Sequence, residues 1–90
     1  MKTAQEFREI AIKEMSTPDM VEAAKLIETL IIDAINRGKN YISLDTGSAT
    51  YRNLCVLTKG CDKLETYLEL HGYIVSTSIF DSNSFFKVSF

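Results

Sequence analysis

Few side chains in this sequence are of the types that carry out covalent chemistry. Its single histidine is His71, and its two cysteines are Cys55 and Cys61. A thiolate beside an imidazole can act as a nucleophile, but the spacing puts neither thiol beside His71 on a continuous helix. Neither cysteine has a neighbour at zinc-ligand spacing. We therefore expect free thiols in a reducing cytosol, a His71 that caps a helix, and no metal or cofactor.

Asp45 is the most suggestive acidic residue, because it lies in the run Leu-Asp-Thr-Gly-Ser-Ala at positions 44–49. This run resembles the signature of aspartic peptidases, in which two close carboxylates share one proton and activate water. The resemblance implies a dimeric peptidase to which each chain contributes Asp45. That family is built almost entirely from strands, whereas the residues before this run read as helices. Because Asp, Thr, Gly and Ser are common in turns, we favour a turn and keep the peptidase as a third alternative.

Four basic residues are candidates for contact with nucleic acid: Arg37, Lys39, Arg52 and Lys59. They are scattered along the chain, whereas a helix that reads DNA concentrates such residues on one face. The formal net charge is −2, so the chain has no broad positive field to attract phosphates. Nucleic-acid binding is therefore the alternative and not the leading interpretation.

The elements that must position these residues begin with two helices. Thr3 and Glu6 have capping-box spacing, which predicts a first helix. Pro18 suits the first position of a second helix, and Gly38 suits its end. The wide apolar face of this second helix predicts that it forms the centre of the core.

The middle of the chain is predicted as a strand followed by two helices. Residues 41–45 alternate between apolar and polar side chains, which predicts a short strand. Residues 49–71 carry apolar side chains at helical spacing and are divided by Gly60. A strand over residues 51–58 stays open as an alternative, since several side chains there suit one.

The last strands form a predicted hairpin with a four-residue loop over 81–84. Pairing Phe80 with Phe85 would place those two side chains together on the more polar face of the sheet, with Tyr41 and Lys87 on the same face. Aromatic side chains beside polar groups are typical anchors for a partner protein. We therefore predict these four residues as a partner-binding surface. Open strand edges also leave a homodimer as an option.

From residue 18 onward the predicted order is helix, strand, helix, helix, strand, strand. This is the element order of a winged-helix domain, and residues 64–74 resemble the run from its third helix into the wing. The resemblance implies that the helix near 62–71 reads nucleic acid, yet its charged residues are net negative. They are Asp62, Lys63, Glu65 and Glu69.

A second resemblance covers the pieces 38–44, 64–68, 72–75 and 87–90, which are similar to small accessory proteins of tailed phages. It implies stoichiometric binding to a host protein, such as an enzyme or a defence system, in the host cell cytoplasm. It assigns no role to any residue.

Together these patterns predict one α+β domain over residues 1–90. Helices pack on one face of a small three-stranded sheet that ends in a C-terminal β-hairpin, with winged-helix-like element order. Residues 1–17 form an N-terminal helix before a core over 18–90. The predicted function is non-enzymatic protein binding in the cytoplasm, and no stretch is long and apolar enough for a membrane span.

Overall fold

The computed structural model describes the backbone of residues 1–90 and every side chain except that of Phe80. Its helices pack against a three-stranded antiparallel sheet, which confirms the predicted α+β class. In chain order the elements are α1 (Ala4–Met15), α2 (Pro18–Asn36), β1 (Tyr41–Asp45), α3 (Ala49–Thr58), α4 (Cys61–Leu70), β2 (Ile74–Phe80) and β3 (Asn83–Ser89).

Polar side chains fix where three of the helices begin. Thr3, Thr17 and Ser48 each accept a hydrogen bond from the backbone amide three residues further on, at 3.1, 3.2 and 3.3 Å respectively. Each contact satisfies one of the amides that a helix start leaves without an intrahelical partner. The Ser48 cap starts α3, so the alternative strand over residues 51–58 is wrong.

The core is built around α2, as the apolar face of that helix predicts. Ile27 of α2 is buried at 1% exposure, and β3 supplies Phe86 and Val88 at 2% and 0%. The other buried apolar side chains are Met20, Ala23, Ile31, Ala34, Ile42, Leu54, Leu64, Tyr67 and Leu68. Each large aliphatic or aromatic side chain buried in this way stabilises the fold by about 1.5–3 kcal/mol before entropy is counted.

The corner between α3 and α4 joins the two cysteines. Lys59 has a φ of 57° and Gly60 a φ of 128°, which turns the chain sharply after α3. The turn brings Cys55 and Cys61 to a Cα–Cα distance of 4.9 Å, and they form a disulfide. The expectation of free thiols is therefore wrong. Helical periodicity does not anticipate this pairing, because the left-handed residue at the corner breaks the helix between them.

The strand order is β1-β3-β2, so the last strand in sequence lies at the centre of the sheet. Two consecutive residues with positive φ, Asp81 at 49° and Ser82 at 65°, connect β2 to β3. A two-residue turn of this kind has a twist that matches the twist of the flanking strands. The four-residue loop was therefore the wrong prediction.

The shorter turn changes which residues face each other. Phe80 pairs with Asn83 and Phe85 pairs with Ser78, so the predicted Phe80–Phe85 pair is wrong. Because the register moves by two positions, the alternation of the two faces is unchanged. Val75 still lies on the core side, opposite Val88.

Helix α1 lies at the periphery and contributes no fully buried residue. Phe7 is 56% exposed, whereas Ile12 and Met15 pack against the core. The chain leaving α1 is tied to α4 by a hydrogen bond of 3.0 Å between the hydroxyls of Ser16 and Tyr67.

Within the part of the chain that the structure describes, no helix is long and apolar enough to cross a membrane.

Substitution of Phe86 tests the position of β3 at the centre of the core. We expect Phe86→Ala to lower the free energy of unfolding by about 3–5 kcal/mol, because it leaves a cavity at the centre of the core. Val56→Ala is the matched control, since Val56 is 77% exposed. Urea unfolding followed by circular dichroism measures both. Equal midpoints for the two variants would contradict the burial of β3.

Reduction of the disulfide tests the corner between α3 and α4. The bond closes a loop between positions six apart in sequence, and chain entropy predicts a stabilisation of about 2–2.5 kcal/mol for so short a loop. Both dithiothreitol and the Cys55→Ser, Cys61→Ser double variant should therefore lower the melting temperature by about 10 °C. The reductant should have no further effect on the double variant. A wild-type melting curve that is insensitive to dithiothreitol would contradict the bond.

Candidate functional site

The face of the sheet turned away from the helices is the candidate site, and we call it the outer face. Alternation along each strand sends core residues to one side and the intervening residues to the other. Among the described side chains, the outer face is therefore formed by Tyr41, Ser43 and Asp45 from β1, Asn83, Phe85, Lys87 and Ser89 from β3, and Ile74, Ser76 and Ser78 from β2.

Tyr41 is the aromatic centre of one end of the outer face. The ammonium nitrogen of Lys87 lies 4.5 Å from the centre of the Tyr41 ring, and that of Lys39 lies 5.9 Å away. A cation over an aromatic face is attracted by the quadrupole of the ring, worth about 0.5–1 kcal/mol at an exposed site. The contacts orient the two lysines and leave a positively charged, aromatic patch on the surface.

Phe85 lies further along β3, between Asp45 of β1 and Ser78 of β2. It is half-buried although it does not face the core. Of the four predicted partner-binding residues, Tyr41, Lys87 and Phe85 therefore lie on one face. The side chain of the fourth, Phe80, lies outside the described residues.

The Asp45 carboxylate serves a turn. Its Oδ1 accepts a hydrogen bond of 2.8 Å from the amide of Gly47, and its carbonyl accepts one of 2.6 Å from the Ser48 hydroxyl. These contacts join β1 to the cap of α3 and are the turn that the sequence predicts. Helices α1 and α2 precede β1 in the chain, and α3 follows this turn directly. The peptidase fold, in contrast, is built almost entirely from strands.

The four basic residues named for nucleic acid do not form one patch. Arg37 pairs with Asp33 at 3.2 Å, and Lys39 lies beside Tyr41. Arg52 is in the first turn of α3, whereas Lys59 is the cap at its other end. Lys39 therefore lies beside the outer face, and Arg37 lines the same cleft as Lys39 and Tyr41.

Helix α4 carries an acidic stripe where a winged-helix protein would read nucleic acid. Burial raises the pKa of Glu65 above its ordinary value of 4.5, and repulsion by Glu69, a hydrogen bond with the Glu69 side chain and repulsion by Asp62 raise it further. Carboxylates crowded in this way repel phosphate. The charge of α4 therefore disfavours nucleic acid at this helix.

His71 is the residue that ends α4, as predicted. Its ring meets the ring of Tyr67 edge to face, with 4.7 Å between centres and 66° between planes. Both rings line an open cleft of about 280 Å³ between α2 and α4.

Among the described residues, no group of three or more His, Cys, Asp or Glu side chains could hold a metal ion.

Comparison of the chain with protein-family models, with curated proteins and with solved structures found no significant match. The support for the candidate site is therefore the arrangement of its residues in this structure.

Sequence reasoning missed several features of the outer face. Ser43 and Ser89 flank Lys87 and Tyr41 across the strands, and Lys39 approaches from the loop before β1. Strand alternation places both serines on the polar side of their own strands, but their positions opposite Lys87 and Tyr41 require the strand order, because β1 and β3 are far apart in the sequence. The approach of Lys39 to Tyr41 depends on the conformation of the loop and has no sequence signal.

The acidic stripe makes a prediction about pH. A raised pKa means that the folded state binds a proton more readily than the unfolded chain, so stability increases as the pH falls from the raised pKa through 4.5. At pH 7 the charged Glu65 carboxylate costs stability, and we expect Glu65→Gln to stabilise the fold by up to about 0.5 kcal/mol. The gain should disappear near about pH 4, where the unfolded chain is also largely protonated.

Thermal melting of wild type and variant at both pH values measures this effect. Glu22→Gln, on the exposed side of α2, is the control and should show no such dependence. A gain from Glu65→Gln that is the same at both pH values would contradict the crowding of the three carboxyls.

Proposed function

We propose that this protein binds another protein stoichiometrically through the outer face and catalyses no reaction. The observation that carries the proposal is the cluster of Tyr41, Lys39 and Lys87 on the sheet face that no helix covers. Aromatic side chains and cations that share one surface are enriched where proteins meet, because they combine large contact area with directional polar contacts.

The chemistry of the outer face indicates what its partner presents. Lys39 and Lys87 attract carboxylates, and the rings of Tyr41 and Phe85 offer apolar contact. A partner segment with an acidic side chain next to an apolar one would satisfy both. Asp45, at the other end of β1, disfavours a partner that is acidic along its whole length, and this sets an orientation.

The position of the positive charge favours a protein partner over nucleic acid. Nucleic-acid binding relies on several cations that track the phosphate backbone, whereas Arg37 here pairs with Asp33 and α4 carries an acidic stripe. The resemblance to accessory proteins of tailed phages adds a class of partner to the proposal: a host enzyme or defence protein that is inhibited by being covered.

The proposed place of action is the cytoplasm. A reducing cytoplasm would keep Cys55 and Cys61 as thiols, whereas the structure joins them in a disulfide. Both cysteines lie at the corner between α3 and α4, outside the outer face. The proposed contact therefore needs no particular redox state of this pair.

Site-specific photo-crosslinking in cells of the native host tests the proposed surface. A benzophenone side chain at Ser43, which is exposed on the outer face, should yield one predominant adduct with a different protein. The same group at Thr29, exposed on α2, is the control and should yield none. Lys87→Glu should reduce the Ser43 adduct by about tenfold, which corresponds to the loss of one charged contact.

Lys25→Glu, with the same charge change on α2, should leave the adduct unchanged. Melting temperatures of both charge variants that equal the melting temperature of the wild type would show that folding is unaffected. Adducts that form from Thr29 but not from Ser43, or an adduct that is insensitive to Lys87→Glu, would remove the outer face as the contact surface.

A further inference from the structure

Strand β2 has an open edge with unusual composition. It lies at the side of the sheet, paired only with β3. Its seven residues, Ile-Val-Ser-Thr-Ser-Ile-Phe, include no charge, no proline and no glycine. Proteins usually protect such edges with charges, prolines or bulges, because unpaired backbone groups are a template for another strand. The other edge, β1, is shorter and carries the charged Asp45.

The turn geometry determines which backbone groups of β2 point outward. In a hairpin with a two-residue turn, the residues beside the turn exchange hydrogen bonds, and the bonded pairs then alternate along the ladder. The bonded pairs are therefore those of Phe80, Ser78, Ser76 and Ile74. The amides and carbonyls of Val75, Thr77 and Ile79 point away from β3, toward the open edge.

The side chains of β2 are symmetric about Thr77. Ser76 and Ser78 flank it, and Val75 and Ile79 follow on either side, so the strand has the same chemical classes in both directions. An antiparallel pair of two such strands, related by a two-fold axis at Thr77, would place each residue opposite one of its own kind. The outward groups would then form about six backbone hydrogen bonds between the chains.

The exposed apolar side chains fit the same arrangement. Ile79 is 77% exposed, although it lies on the same side of the sheet as the half-buried Val75. In the two-fold pair Ile79 lies directly opposite Val75 of the other copy. Cross-strand pairs of this kind contribute about 0.2–1 kcal/mol each, and no like charges meet along the seven residues.

We propose that β2 pairs with β2 of a second copy of this chain, antiparallel and centred on Thr77, to form a continuous six-stranded sheet. A closed two-fold contact of this kind uses the same edge on both copies and ends the assembly at two chains. One strand pair is a small interface, below the standard size of about 1,600 Å². We therefore expect a dimer with a dissociation constant on the order of micromolar.

Sedimentation equilibrium on the full chain from about 1 to 500 µM tests the proposal, since that range brackets the expected dissociation constant. The wild type should shift from monomer to dimer. Thr77→Lys would set two like charges together at the axis and should raise the dissociation constant at least about tenfold. Ser43→Lys, on the other edge strand, should leave it unchanged. A monomer throughout the range, or equal effects of the two variants, would overturn the proposal.

Oxidative crosslinking tests the register, and it needs no charged substitution in the strand. Thr77→Cys should give a disulfide-linked dimer, because residues directly opposite each other in a bonded pair have Cα atoms about 5.5 Å apart. Ser43→Cys is the control and should give no disulfide-linked dimer. Crosslinking of Ser43→Cys in place of Thr77→Cys, or a Thr77→Cys chain that forms no disulfide-linked dimer, would contradict the two-fold pair. The adduct between Ser43 and a host protein tests the proposed function separately.

Discussion

The burial of β3 in the core, together with its pairing to both other strands, is the interaction on which the rest of the molecule depends. Phe86 and Val88 are buried in the same apolar cluster as the core residues of α2, and the same strand supplies hydrogen bonds to both β1 and β2. Without β3 the two other strands would not touch. The outer face exists because the side chains of β3 alternate: each residue that enters the core leaves its neighbour on the opposite surface.

This arrangement explains why the helices were easier to predict than the pairing of the strands. The limits of α1 and α2 depend on local contacts, such as the Thr3 and Thr17 caps and the turn at Gly38, and these residues indicate them directly. The register of β2 and β3 depends on two residues, Asp81 and Ser82, that both take a left-handed conformation. Asp-Ser is a weak signal for such a turn compared with Asn-Gly or Asp-Gly, and a four-residue loop satisfied the hydrophobic pattern equally well.

The candidate site also combines features that the sequence predicts with features that it does not. Alternation along the strands was enough to group Tyr41, Phe85 and Lys87 on one face, and this survived an error of two residues in the register because side chains repeat every second position. The approach of Lys39 and the pairing of Cys55 with Cys61 were out of reach. Both are set by the path of a loop or corner, where backbone dihedral angles decide which side chains meet.

The central position of β3 also has a consequence for biosynthesis. A ribosome makes β1 and β2 before β3, so neither strand has its neighbour in the sheet when it is synthesised. The helices can acquire structure as they emerge, but the sheet must assemble in one late event that closes a loop of about 40 residues between β1 and β3. Such non-local closure slows folding, and during this interval the uncharged segment of β2 is exposed to chaperones and to other nascent chains.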